Sequence, residues 1–121
     1  MFAVCDIGAT KTRVAVASSF SQFYEPQMYP TPKDFEHGIA ELTIRIQDMA
    51  AGEKIKACAV GIAGSLLPNK SGVFASFLTN WEGRDIKDAI ATVLECDVYV
   101  ENDAALVGLG EAVFGAGRQE G

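Results

Sequence analysis

Two short apolar runs, "FAVCDIG" and "TRVAVASS", open the chain on either side of "ATK". The second sets Val14 and Val16 against smaller neighbours, and the pair predicts an antiparallel hairpin. A third, weaker strand is predicted in "QFYEPQMYP", where Pro26 and Pro30 confine it to the edge of a sheet because proline cannot donate to a ladder. In "TPKDFEHGIAELTIRIQDMAAG" the apolar period changes: Phe35, Ile39, Leu42, Ile46 and Met49 follow at steps of three or four. That stripe predicts an amphipathic helix from Thr31, with Pro32 in its first turn and Gly52 as its stop. His37, the only histidine, falls off the stripe and is expected at the surface. The unbroken apolar run "IKACAVGIAG" then reads as a strand covered on both faces, which favours parallel pairing.

Residues 65–81 carry Pro68, Asn69, Gly72 and Asn80 around "VFASFL", the pattern of a loop holding a small strand or hairpin. A second helix is predicted in "RDIKDAIATVLE", with Ile86, Ile90, Val93 and Leu94 on one face. A short buried strand, "CDVYV", follows, and "ENDAALVGLGEAVFGAG" continues directly as an apolar helix. Gly108 and Gly110 within it cost helix stability and are expected to allow close packing. The order strand, strand, strand, helix, strand, helix, strand, helix implies an antiparallel three-strand meander extended by right-handed parallel crossovers. The fold class is α/β, a mixed sheet with helices on both faces. Ligands gather at the carboxyl ends of the strands in such sheets, and three polar clusters fall there: the first turn, "GIAGS" and "ENDA".

Composition narrows the functions available to this sheet. At 121 residues, with 49% hydrophobic and 21% charged residues, the chain is one ordinary domain. Its net charge of −6 argues against nucleic acid or an acidic membrane surface as partner, and leaves a small ligand held by a local donor cluster. Cys5, Cys58 and Cys96 have no metal-site spacing and an odd count, so they read as reduced core residues. No run approaches a membrane span and no leader pattern is present, so a cytoplasmic location is expected.

The octet "DIGATKTR" holds the first candidate chemistry. Gly8 and the small Ala9 let backbone amides approach an anion, and Thr10, Lys11 and Thr12 add hydroxyl and ammonium donors. Asp6 is suited to hold water on a magnesium ion, since hard cations in phosphoryl transfer take carboxylate oxygens and keep most of their waters. A polar hairpin turn with a hydrogen-bonding aspartate has the same sequence. In "ENDAA", Asn102 and Asp103 stand where a strand meets a helix; they read either as a helix cap or as a substrate-orienting amide beside a general base. Gly61 and Gly64 in "GIAG" suit a tight strand exit or the close approach of a ligand. Asn80 lies beside Trp81, which is expected to be a core or lid residue more than a sugar-stacking platform.

Taken in order, "DIGATKTRVAV", "VGIAG", "TNWEG" and "VYVENDAALVGLGEAVFGAG" resemble the N-terminal domain of the ROK family (repressor, open reading frame, kinase), which includes bacterial glucokinases. The resemblance spans nearly the whole chain. It implies a ribonuclease H-like fold of the actin and sugar kinase superfamily, with ATP and Mg2+, and transfer of the γ-phosphoryl group to a hexose or amino-sugar hydroxyl. By matching position, Asp103 is the implied general base, Asn102 and Asn80 bind sugar hydroxyls, and Gly64 lines the sugar pocket. Asp6, Gly8, Ala9, Thr10, Lys11 and Thr12 are implied at the phosphates and metal. The sequence departs from the family where it has Ala63 and Ser65 in place of the common prolines, and in its compact "NWEG".

The resemblance also implies a second domain, with another phosphate loop and the adenine pocket, that this chain does not contain. Residues 1–121 are therefore expected to be the N-terminal half of a longer kinase and inactive alone, with a homodimer as the assembly considered. Two other functions stay open: the sugar-sensing module of a ROK transcriptional regulator and a non-catalytic nucleotide-binding domain. Regulators place a DNA-binding helix-turn-helix ahead of this domain, whereas here a strand is expected from residue 2, which favours the kinase.

Overall fold

A computed structural model describes residues 1–19, 22–75 and 78–102. Its centre is the predicted hairpin. Strands β1 (Phe2–Ile7) and β2 (Lys11–Ser19) pair antiparallel, Cys5 opposite Val14 and Ile7 opposite Thr12. The single strand expected in "QFYEPQMYP" is two pieces, β3 (Gln22–Phe23) and β4 (Gln27–Pro30), both paired with β2. Pro26 falls in the gap between them. The outer position of β4 is secured by Arg45, whose guanidinium lies 4.2 Å over the Tyr29 ring and donates to Gln27 Oε1 at 2.9 Å.

Helix α1 spans Phe35–Ala50, four residues shorter at its start than the expected Thr31. The reason lies in the partners of both residues. The Asp34 carboxylate accepts from the His37 N–H at 2.8 Å and caps the helix, while Thr31 is tied to the hairpin, its N–H donating to the Thr10 carbonyl at 3.0 Å. At the other end Ala51 adopts φ 52° and Gly52 φ 90°, so the left-handed exit begins one residue before the glycine. Of the predicted stripe, Phe35, Ile39, Leu42 and Ile46 are buried and Met49 packs at the margin; His37 is exposed as expected.

The apolar run becomes β5 (Ala57–Ile62), parallel to β1 on one side and to β8 (Asp97–Asn102) on the other. The path β3-β2-β1-β5-β8, with β4 also on β2, is the mixed sheet that the element order implies, with six strands instead of five because the third is split. Between the parallel strands, β6 (Ser65–Leu66) and β7 (Val73–Ala75) form the small hairpin, a 3-10 turn follows at Thr79–Trp81, and helix α2 runs Ile86–Leu94 from an Asp85 cap. Ile86, Ile90 and Leu94 of α2 are buried, but Val93 is 44% exposed. It lies about 60° round the helix from Ile90, on the flank of the stripe.

Side chains alternate across the sheet. Ala3, Cys5, Ile7, Val14, Val16, Val60, Val98 and Val100 join α1 and α2 in one core. All three cysteines are free, as expected; Cys5 and Cys58 are fully buried there with their sulfurs 3.8 Å apart. The strand expected as "CDVYV" extends to Asn102 and is not buried throughout, since Tyr99 is 44% exposed. The helix expected over 101–117, and with it Gly108 and Gly110, lies outside the described residues from 103 onward. Among the described residues no helix is long and apolar enough to cross a membrane.

Candidate functional site

The first turn is tight because of what Gly8 touches. Its N–H donates to the Lys11 carbonyl at 2.9 Å, and a Cβ at this position would stand 2.9 Å from that same oxygen. Only glycine closes the turn without moving backbone. Asp6 immediately precedes it, half-buried, with Oδ1 enclosed by protein. Thr10 and Lys11 are exposed at the tip and Ala9 is half-buried.

Thr12 does not join them. It is 2% exposed on the helix-covered face, opposite Ile7, and its Oγ1 shares a 2.7 Å hydrogen bond with Thr31 Oγ1. The sequence expectation that its hydroxyl faces a phosphate is therefore corrected: strand alternation sends Thr12 to one face and Asp6 to the other. The residue directly across from Asp6 is Arg13, which the sequence reading did not assign. The hairpin register was the signal that would have found it.

Beside this turn, the parallel strands end in step. Ile7, Ile62 and Asn102 occupy one row of the sheet, and Asp6, Gly61 and Glu101 the row before it. The Ala63 N–H carries the ladder one step further, donating to the Ile7 carbonyl at 3.0 Å. The glycine turn after β1, the exit at Gly64 and the end of β8 thus share one rim. With strands about 4.8 Å apart and β5 between them, β1 and β8 lie about 10 Å from each other. Gly64 has φ 130°, a conformation side-chain-bearing residues rarely adopt, which explains its place at this exit.

Asn80 is exposed in the 3-10 turn, and the residue after it fixes that turn. Trp81 is 1% exposed, donates from Nε1 to the Pro32 carbonyl at 3.1 Å and meets Phe35 edge to face at 5.2 Å. Its six-membered ring lies against Gly38, where an added Cβ would fall 2.2 Å from Cζ2. Trp81 is a core residue, as expected, and Gly38 is the small residue that admits it. The helical stripe gave no signal for Gly38, because its partner is 43 positions away in sequence.

Asp103 lies outside the described residues; Asn102, its neighbour, is exposed at the rim. One residue further back, Glu101 receives Lys70 at 2.9 Å and 3.2 Å on its two oxygens. Burial pushes the Tyr29 phenol well above its usual range, and an S–H contact with Cys5, followed by burial, pushes the Cys58 thiol up. Both belong to the core beneath the site. Among the described residues no group of three or more histidine, cysteine, aspartate or glutamate side chains is arranged to hold a metal.

A parallel sheet carrying an antiparallel hairpin with a glycine turn, and ending in step at one rim, defines a ribonuclease H-like domain of the actin and sugar kinase superfamily. The chain belongs to the ROK family, whose model matches residues 2–120. It is 27% identical over 113 residues to a glucokinase of Streptomyces coelicolor, covering 93% of this chain and 36% of that protein. In structure it is similar to a ROK family glucokinase from Streptomyces griseus solved with glucose and AMPPNP, with a TM-score of 0.77, 26% identity, and 96% and 37% of the two chains covered. It shares its fold with a ROK family transcriptional regulator, a homolog of the E. coli MLC protein, with a TM-score of 0.69, 15% identity, and 93% and 30% covered. The chain therefore spans a little over a third of the length of the glucokinases it matches.

Proposed function

We propose that this chain is the N-terminal lobe of an ATP-dependent sugar kinase, and that a second lobe in a longer protein completes its cleft. The observation carrying this reading is the shared rim: Asp6 near the end of β1, the Gly8 turn that follows it and Asn102 at the end of β8 stand at the carboxyl edge of one sheet, with β1 and β8 two strands apart. Phosphoryl transfer needs donors on the phosphates and a base on the acceptor hydroxyl within one small ligand's span.

In this mechanism the backbone at Gly8 and Ala9, with Thr10 and Lys11, receives the nucleotide phosphates. Asp6 would hold water of a bound Mg2+, which would supply positive charge against the phosphates. Asn102 and Asn80 accept and donate hydrogen bonds to sugar hydroxyls, and Gly64 leaves space for the ring. Asp103 takes the proton of the attacking sugar hydroxyl; that oxygen bonds to the γ-phosphorus as the bond to the β,γ-bridging oxygen breaks, releasing ADP. One lobe supplies one wall, and the charge stabilisers of a closed, dry cleft require another. A homodimer and a cytoplasmic location accord with this reading.

ADP formation by the longer protein across a panel of hexoses and amino sugars tests it. Sugar-dependent release supports the kinase; flat responses across the panel contradict it. The likeness to the ROK regulator supports a second reading, a sugar-sensing domain. Saturable sugar binding without ADP formation would favour that sensor.

A further inference from the structure

The hairpin β6–β7 connects two of the residues assigned to the sugar. Gly64 immediately precedes β6, and Asn80 follows β7 in the 3-10 turn. The tip of this hairpin is fastened in two directions. Towards α2, the Ser71 carbonyl accepts from the Lys87 N–H at 3.0 Å, and Gly72 lies so close to the Arg84 carbonyl that a Cβ would reach within 2.1 Å of its oxygen. Towards the sheet, Lys70 reaches Glu101 of β8 with contacts of 2.9 Å and 3.2 Å to both carboxylate oxygens. Lys70 occupies the left-handed region at φ 57°, and the Asn69 side chain accepts from both the N–H and the hydroxyl of Ser71 to shape the turn.

Resting on the sugar-kinase reading, we infer that Lys70 and Glu101 are positioning residues that latch the tip of the β6–β7 hairpin, which follows Gly64, to the strand presenting Asn102. The two ends of the latch differ in what else holds them. Strand β8 is paired with β5 as far as Asn102, so it keeps its place without the ion pair. The tip of the hairpin is held to α2 by the Ser71–Lys87 backbone bond, but to β8 it is joined by Lys70 and not by a strand ladder. Losing the latch therefore frees the hairpin tip from β8 while α2 still holds it, and leaves β8 in register with β5. Binding energy is then lost equally from ground and transition states, which raises KM and spares kcat. The Glu101 side chain is 20% exposed and that of Lys70 62%, so the pair is partly screened and its effect modest.

The test compares Lys70→Met, Glu101→Gln and the Lys70→Glu/Glu101→Lys exchange in the longer protein, measuring sugar KM, ATP KM, kcat and Tm. Each single variant is expected to raise sugar KM about three- to fivefold at low salt, with kcat and ATP KM within about twofold of the parent. The exchange is expected to recover the parental sugar KM, and the difference between single variants and parent to shrink at high salt as the charges are screened. Unchanged sugar KM in a variant of an active parent overturns the latch and leaves the kinase reading standing, as does a fall in kcat or Tm without a change in sugar KM. A parent with no sugar-dependent ADP release overturns both.

Discussion

Thr12 and Thr31 share a buried hydrogen bond of 2.7 Å between their hydroxyls, on the opposite face of the sheet from Asp6. A residue only two positions beyond the exposed Thr10 thus serves the core. Replacing Thr12 by valine strands the Thr31 hydroxyl and is expected to cost about 1–3 kcal/mol of stability, read as a lower Tm, while ATP KM stays at its parental value. Thr12→Ser should recover most of the loss. A large rise in ATP KM at unchanged Tm would return this hydroxyl to the phosphates.

Gly38 and Trp81 make the complementary case, a contact with no room to spare. In Gly38→Ala the new methyl would fall 2.2 Å from Trp81 Cζ2, so the indole must move. The expected cost is about 1–3 kcal/mol by thermal or denaturant unfolding. Because Trp81 anchors the turn that carries Asn80, sugar KM should rise with it. A variant as stable as the parent would contradict the packing described.

At the first turn the same substitution acts on function. Gly8→Ala puts its Cβ 2.9 Å from the Lys11 carbonyl oxygen, which belongs to backbone and cannot swing aside. The turn should open, raising ATP KM about tenfold, equivalent to about 1.4 kcal/mol of binding, with sugar affinity untouched. Unaltered ATP KM would remove the turn from nucleotide binding.

Much of this arrangement is legible in the chain, and the failures have a common cause. The steps from Phe35 to Ile46 locate α1, and "IKACAVGIAG" gives the central parallel strand, because periodicity reports which face is buried. Thr12 stands in phase with Val14 and Val16 at steps of two, which already marks it as inward and not as a loop donor. Lys70 with Glu101, and Gly38 with Trp81, left no local trace: each pair is joined by the fold across more than 30 residues. The split of β3 from β4 follows from Pro26, which interrupts the strand as well as confining it to the edge.

Alkaline pH should weaken the fold through its buried thiols. Cys96 is raised from 9.0 to about 11, chiefly by burial, and Cys58 is raised too. Above pH 9 the unfolded chain releases these protons while the folded one retains them, so the unfolded state binds fewer protons and stability falls as pH rises. Below pH 9 both states hold the protons and the thiols add no pH dependence. Denaturant unfolding from pH 7 to 11 should show a decline that begins near 9 and is reduced in a Cys58→Ala/Cys96→Ala variant. A decline of equal steepness in that variant would contradict this assignment.

Phosphoryl transfer in the proposed kinase crosses the rim shared by the Gly8 turn and the end of β8. Its most direct test is single-turnover and steady-state kinetics of Asp103→Asn in the longer protein, with sugar binding measured alongside. A loss of about 10²–10⁴ in kcat is expected with sugar affinity near that of the parent, as when a general base is removed and its shape kept. Turnover close to the parental rate would contradict it.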